Sequence, residues 1–248
     1  MPGQDRRIQL TPGGAVPGEE KTRIRLDPAR GQTSFGRPQA DLVFVIDTTG
    51  SMNDKIDGLL EACSTLTDRL AEKNLDWRIA VVGFGDLTVR GDKIVVTDFT
   101  DTVETVKGLL KRIPRFDGGG NDGESAFDAL DRALALPRRP HATPVMILIT
   151  DEPPLQHGNL NGAAMRNRLR NEGVVAYAVS PDLTVYRDLA EKTGGKWFAV
   201  GSDADLAAIA AMFDSVVKSV AVTVSTIALE AGGDVRRYLS LSDGRNKR

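Results

Sequence analysis

Cysteine is almost missing from this chain, with Cys63 standing alone among 248 residues. A single thiol excludes an internal disulfide framework and fits a reducing compartment, so a cytoplasmic location is the expectation. Histidine is nearly as scarce. His141 and His157 belong to no ligand motif and are read as loop residues, which leaves no plausible His or Cys set for zinc. No basic start followed by an apolar stretch marks a signal peptide. Nor does any apolar run approach the roughly 20 residues of a spanning helix, so no membrane role is expected. Neither a P-loop glycine-lysine pair nor a G-x-G-x-x-G after the first strand appears, which argues against the common nucleotide-binding classes. Basic charge is also in short supply where it would matter. The net charge is only −2, and the ends carry seven Lys/Arg against four Asp/Glu (1–40) and five against three (220–248). Residues 41–219 therefore hold 20 basic and 27 acidic residues, a net of −7, which argues against a nucleic-acid-binding core surface.

What is present has the composition of an ordinary globular protein, 41% apolar and 27% charged, and is long enough for one large domain. Residues 1–39, rich in Gly, Pro, Arg and Gln, read as a partly ordered N-terminal arm. From Leu42 the pattern is regular. Leu42–Ile46 is an apolar run suited to a strand buried on both faces, and Ile56, Leu59, Leu60, Cys63, Leu66 and Leu70 then repeat at helical spacing. Strands are expected at 78–84 and 93–98. The eight-residue link between them is too short for a parallel crossover and predicts an antiparallel hairpin at the sheet edge. Asp101 to Glu104 reads as a capping box before a helix. Further strands are expected at 145–150, 174–179 and 196–200, with helices around 163–171 and 183–193, and one with Phe213, Val216 and Val217 facing inward. Arg166, Arg168 and Arg170 read as a solvated helix face. The alternation predicts a doubly wound, mainly parallel α/β sheet with helices on both faces, over 40–219. The remaining 220–248, where Val220, Val222 and Val224 alternate, is expected to be a strand or hairpin with a basic tail.

The chemistry sits at strand ends. Leu42–Ile46 runs into Asp47, and Thr49 and Ser51 follow at alternate positions. A second apolar strand, Val145–Thr150, ends in Asp151. In open α/β sheets such loops share the carboxyl edge, where ligands bind. A third, glycine-rich loop, 117–124, offers Asp117, Asn121, Asp122 and Glu124. Oxygen donors from three loops suit a hard cation, Mg2+ first, with Mn2+ or Ca2+ as alternatives. Taken singly, each residue has a plainer reading, Ser51 as a helix N-cap and Thr49 as a turn residue. Together with Asp151 they favour a metal site.

These motifs resemble the von Willebrand factor type A domain and its metal-ion-dependent adhesion site. The family's D-x-S-x-S motif is matched by Asp47 to Ser51, with Thr49 in the middle place, in a D-T-T-G-S-M form common among bacterial members. Its later T-D motif is matched by Thr150 and Asp151. The resemblance implies a Rossmann-like fold and a site in which Asp47, Thr49 and Ser51 contact the metal directly or through water, with Asp151 acting largely through water. Where many members have Gly-Gly-Thr, this chain has a glycine triplet from Gly118 followed by Asn121 and Asp122. Either could take the third ligand place, and Asp122 is favoured for its charge. The implied function is a non-catalytic protein-interaction module, in which a partner's Asp or Glu completes the metal's coordination. The rival is a Mg-dependent phosphoryl-transfer enzyme with Asp47 as nucleophile. That chemistry needs a second acid two residues on, and Thr49 stands there instead.

Overall fold

The computed structural model describes residues 37–119, 123–199 and 206–245, so of the expected arm, residues 1–36 lie outside the described part. Six strands form one sheet: β1 (Gln39–Asp47), β2 (Asp76–Phe84), β3 (Ile94–Val96), β4 (Thr143–Ile149), β5 (Val175–Ser180) and β6 (Trp197–Ala199), in the order β3-β2-β1-β4-β5-β6. All neighbours are parallel except β2 and β3, which pair antiparallel at one edge as the short link requires. Helices connect them: α1 (Asn53–Ala71), α2 (Val103–Lys111), α3 (Ala126–Leu134), α4 (Gly162–Asn171), α5 (Thr184–Glu191), α6 (Leu206–Ala231) and α7 (Val235–Arg245). The chain order reverses between β1 and β4, the position where a doubly wound sheet opens a crevice at its carboxyl edge.

The apolar runs of the strands are explained by two cores. Leu42, Phe44 and Ile46 of β1 point into one, built with α1, α2, α6 and α7. Val43 and Val45 point into the other, under α3, α4 and α5. A strand covered on both sides has no polar face to present, hence the unbroken hydrophobic run. Cys63 is fully buried in the first core, as its place on the α1 stripe predicts. The amino end of β1 is tied differently. Asp41, 1% exposed, accepts two bonds from Arg78 and two from Arg139, all between 2.7 and 2.8 Å.

Four expectations need correction. The tail is helical: Val220, Val224, Ile227 and Ala231 are buried at spacings of four, three and four, while Val222 is 64% exposed. The valine alternation was a short coincidence within a longer 3.6-residue period. Gly232 and Gly233, both with positive φ, end α6, and their N–H groups reach Ala228 and Ile227 carbonyls before α7 begins. Because α6 continues through this region, residues 211–231 are long and apolar enough to cross a membrane, contrary to the expectation that no such run exists. Here the helix packs on α1, β1 and β4. The capping box at Asp101 does not form, since α2 starts after Thr102 with no side-chain cap bond. Finally, the three arginines of α4 are not simply solvated. Arg166 pairs with Asp188, Arg168 with Asp131 and Arg170 with Asp243, which ties α4 to α5, α3 and α7.

Candidate metal centre

Asp47 is the last residue of β1, and its carboxylate is completely buried. Oδ1 accepts the Thr49 N–H at 3.0 Å and the Thr49 hydroxyl at 2.7 Å, and Oδ2 accepts the Thr150 hydroxyl at 2.7 Å. Strand pairing places Thr150 there, because β1 and β4 run parallel with Ile46 opposite Ile149. The Thr49 and Ser51 hydroxyls are 3.2 Å apart, and Ser51 Oγ donates to Asp151 Oδ1 at 2.9 Å. One connected set of oxygens thus runs Thr150, Asp47, Thr49, Ser51, Asp151. It descends from the exposed Ser51 to the buried Asp47. Ser51 lies in a single 3-10 turn, Gly50–Met52, and makes no cap bond to α1, so its plainer reading is not realised.

The loop after α2 closes the near side. Phe116 N–H donates to Thr48 O at 2.9 Å and Gly50 N–H to Asp117 O at 3.3 Å. A Cβ on Gly50 would stand 2.9 Å from that same carbonyl, so only glycine permits the approach. Gly118, at φ +76, sits where a Cβ would meet Glu124 Oε1 and Thr49 Cβ, each at 3.0 Å. Asn121 and Asp122, the residues expected to contest the third ligand place, lie outside the described residues. The acid of this loop that is seen at the site is Glu124. It is 4% exposed, is held by paired backbone bonds with Pro153 and Leu155, and has no hydrogen-bond partner at Oε2.

Two carboxyls are strongly perturbed. Burial pushes Asp47 up to about 6, against the opposing pull of the Thr49 and Thr150 bonds, and Asp151 adds to the rise. Glu124 is pushed up to about 8, first by burial and then by the Asp47 and Asp86 charges. Such shifts mark buried anionic oxygens that lack a counter-charge.

Three contributors escaped the sequence reading. The sequence offers Glu124 only as one of several acids in a glycine-rich loop, although it is the acid nearest the start of α3. Asp86 follows β2 as Asp47 ends β1, and Asp86-Leu87-Thr88 repeats the D-x-T spacing, which was a legible signal. Tyr186, fully buried, donates to the Glu152 carbonyl at 2.8 Å and steadies the loop after Asp151. Nothing local in the sequence predicts that contact. His157, read as a plain loop residue, pairs with Asp128 of α3 at 2.7 Å.

The donors fit a hard cation. They are carboxylates and hydroxyls throughout, and buried Glu124 Oε2 is an orphan that a cation would satisfy. Among the described residues, no three His, Cys, Asp or Glu side chains are arranged for a metal, so the hydroxyls of Thr49 and Ser51 are part of any such site.

Residues 41–212 match the model of the von Willebrand factor type A domain. The chain belongs to that family. Alpha-protein kinase vwkA of Dictyostelium discoideum is 32% identical over 117 residues, which are 46% of this chain and 18% of that protein. Among solved structures, proximal thread matrix protein 1 of the mussel byssus, with a zinc-occupied MIDAS motif, superposes with a TM-score of 0.57 at 20% identity. The superposition covers 75% of this chain and 46% of that one. The pilus adhesin SpaC of Lactobacillus rhamnosus GG, in its open conformation, gives 0.55 at 14% identity, over 74% and 30%. This chain therefore spans less than half the length of each of these proteins, and the structural likenesses establish the type A fold.

Proposed function

We propose that this type A domain is a metal-dependent protein-interaction module, and that its partner offers an Asp or Glu side chain to a divalent cation held by Asp47, Thr49, Ser51 and Asp151. The observation that carries the reading is the gradient of burial along one connected oxygen set, from exposed Ser51 down to fully buried Asp47. Its outer end, at Ser51, is the part that faces solvent. A bound cation supplies there a positive charge that a carboxylate from outside can ligate. The residues of the chain do the rest: Thr150 and Thr49 orient Asp47, Asp151 orients Ser51, and Glu124 adds negative charge beneath. Mg2+ is the proposed ion, because one or two carboxylates with hydroxyls and water suit it. The zinc in the mussel protein's site makes zinc a competitor to include in titrations.

A catalytic role is not part of this reading. Asp47 is 0% exposed and fixed by three hydrogen bonds, which suits it to hold a small ion from below rather than to attack a bulky phosphoester. Phosphoryl transfer also needs an acid where Thr49 stands. The kinase name of the Dictyostelium relative covers a protein of which this chain matches 18%, and no turnover of phosphoesters with Mg2+ is expected here. The setting we propose is cytoplasmic, on the single cysteine.

The test is calorimetric titration of Mg2+ and Mn2+ into the protein and its Ser51→Ala and Asp47→Ala variants, followed by capture of partners with and without chelator. Ser51→Ala should cut cation affinity tenfold or more with native circular dichroism. Partner capture that persists in excess chelator would sink the reading.

A further inference from the structure

Beside the first site lies a further buried acid, Asp86, that the function above does not use. Asp86 follows β2, the strand next to β1, and is 0% exposed. Its Oδ1 accepts the Thr88 N–H at 2.8 Å and the Thr88 hydroxyl at 2.7 Å, the same two local bonds that Thr49 makes to Asp47. Its Oδ2 is buried with no hydrogen-bond partner, as is Oε2 of Glu124. The two acids are joined through their neighbours. Leu87 N–H donates to Ser125 Oγ at 2.9 Å, and Asp92 Oδ2 accepts both Asp86 N–H and Gly118 N–H. The charge of Asp86 is also felt at Glu124. None of the ion pairs among the described residues includes Asp47, Asp86, Asp92 or Glu124.

Two unpartnered carboxylate oxygens, each in a side chain more than nine-tenths buried, are costly unless a proton or a cation satisfies them. We propose that Asp86 and Glu124 form a second divalent-cation site next to the first. A hard cation that keeps several waters needs no more than two carboxylates from the protein. The parallel D-x-T turns, on adjacent parallel strands, give the two sites the same local scaffold. This inference rests on the cation reading of the first site.

Counting bound Mn2+ by equilibrium dialysis tests it, with electron paramagnetic resonance of the bound ions as a second readout. The native protein should bind two equivalents, with spectra broadened by coupling between neighbouring spins. Asp86→Asn, which keeps the turn to Thr88, should bind one, with an uncoupled spectrum. Glu124→Gln should likewise lose an equivalent and serves if Asp86→Asn does not fold. One equivalent in both the native protein and Asp86→Asn overturns the second site and leaves the first standing. Two equivalents that survive both substitutions place the second ion elsewhere and overturn it too. No bound Mn2+ at all overturns both readings.

Discussion

Gly118 shows how one residue without a side chain controls the centre. Its φ of +76 belongs to the left-handed region, which costs an L-residue about 1–2 kcal/mol. A methyl there would also press on Glu124 Oε1 and Thr49 Cβ at 3.0 Å. Gly118→Ala should therefore lower unfolding free energy by about 1–3 kcal/mol in urea titration and weaken Mn2+ binding at the same time. A stability loss with unchanged affinity would show that the loop relaxes away from the site. Thr49 teaches a second lesson at this scale. From sequence it was an argument against catalysis. In the fold it also donates two bonds to Asp47 and touches Ser51, so it aligns the two outer members of its own motif.

At the scale of elements, α6 separates the helical from the extended reading of the same valines. On a strand Val222 and Val224 would share a face, whereas on this helix Val224 is buried and Val222 is 64% exposed. Val222→Asp should change stability by no more than about 0.5 kcal/mol, while Val224→Asp should cost several kcal/mol by burying a charge without a partner. Equal effects in thermal denaturation would contradict the helix. The arginines of α4 carry the complementary point. Each reaches a carboxylate on a different helix, contacts that no helical spacing within α4 could announce. Being partly exposed, such pairs each contribute about 0–1 kcal/mol. Asp41 stands apart, because removing one partner of a buried pair costs about 3–5 kcal/mol.

For the whole molecule, the balance of buried acids makes stability depend on pH and metal together. Asp47 and Glu124 hold protons more tightly folded than unfolded, from ordinary values of 3.8 and 4.5 up to about 6 and about 8. Their contribution is complete below the unfolded values and is lost as pH rises through the folded ones. Asp41 has the opposite sign. Burial works against its ionisation, but the Arg78 and Arg139 bonds outweigh that and hold it below 3.8, so its contribution fades only in stronger acid. In chelator, the melting temperature should fall steadily from pH 5 to pH 8. The rise produced by added Mg2+ should grow over the same range, because the cation competes with protons for the same oxygens. A Mg2+ effect independent of pH would mean that these acids are not its ligands.

Much of this protein was legible in its residues. The double-sided burial of β1 and β4, the antiparallel edge hairpin, the α1 stripe and the placing of Asp47, Thr49, Ser51 and Asp151 at one edge all follow from hydrophobic period and punctuation. Those signals are local, and a parallel sheet converts them into position with few alternatives. Tertiary structure decided the rest. It brought Ser51 onto Asp151 across 100 residues, seated Glu124 beside Thr49, set Asp86 next to them and wound the tail into α6 and α7. The reason is physical. Which acid of a glycine-rich loop is buried, and which of two periods a short valine run obeys, depend on the surface that segment meets, and that surface comes from residues far away in the chain.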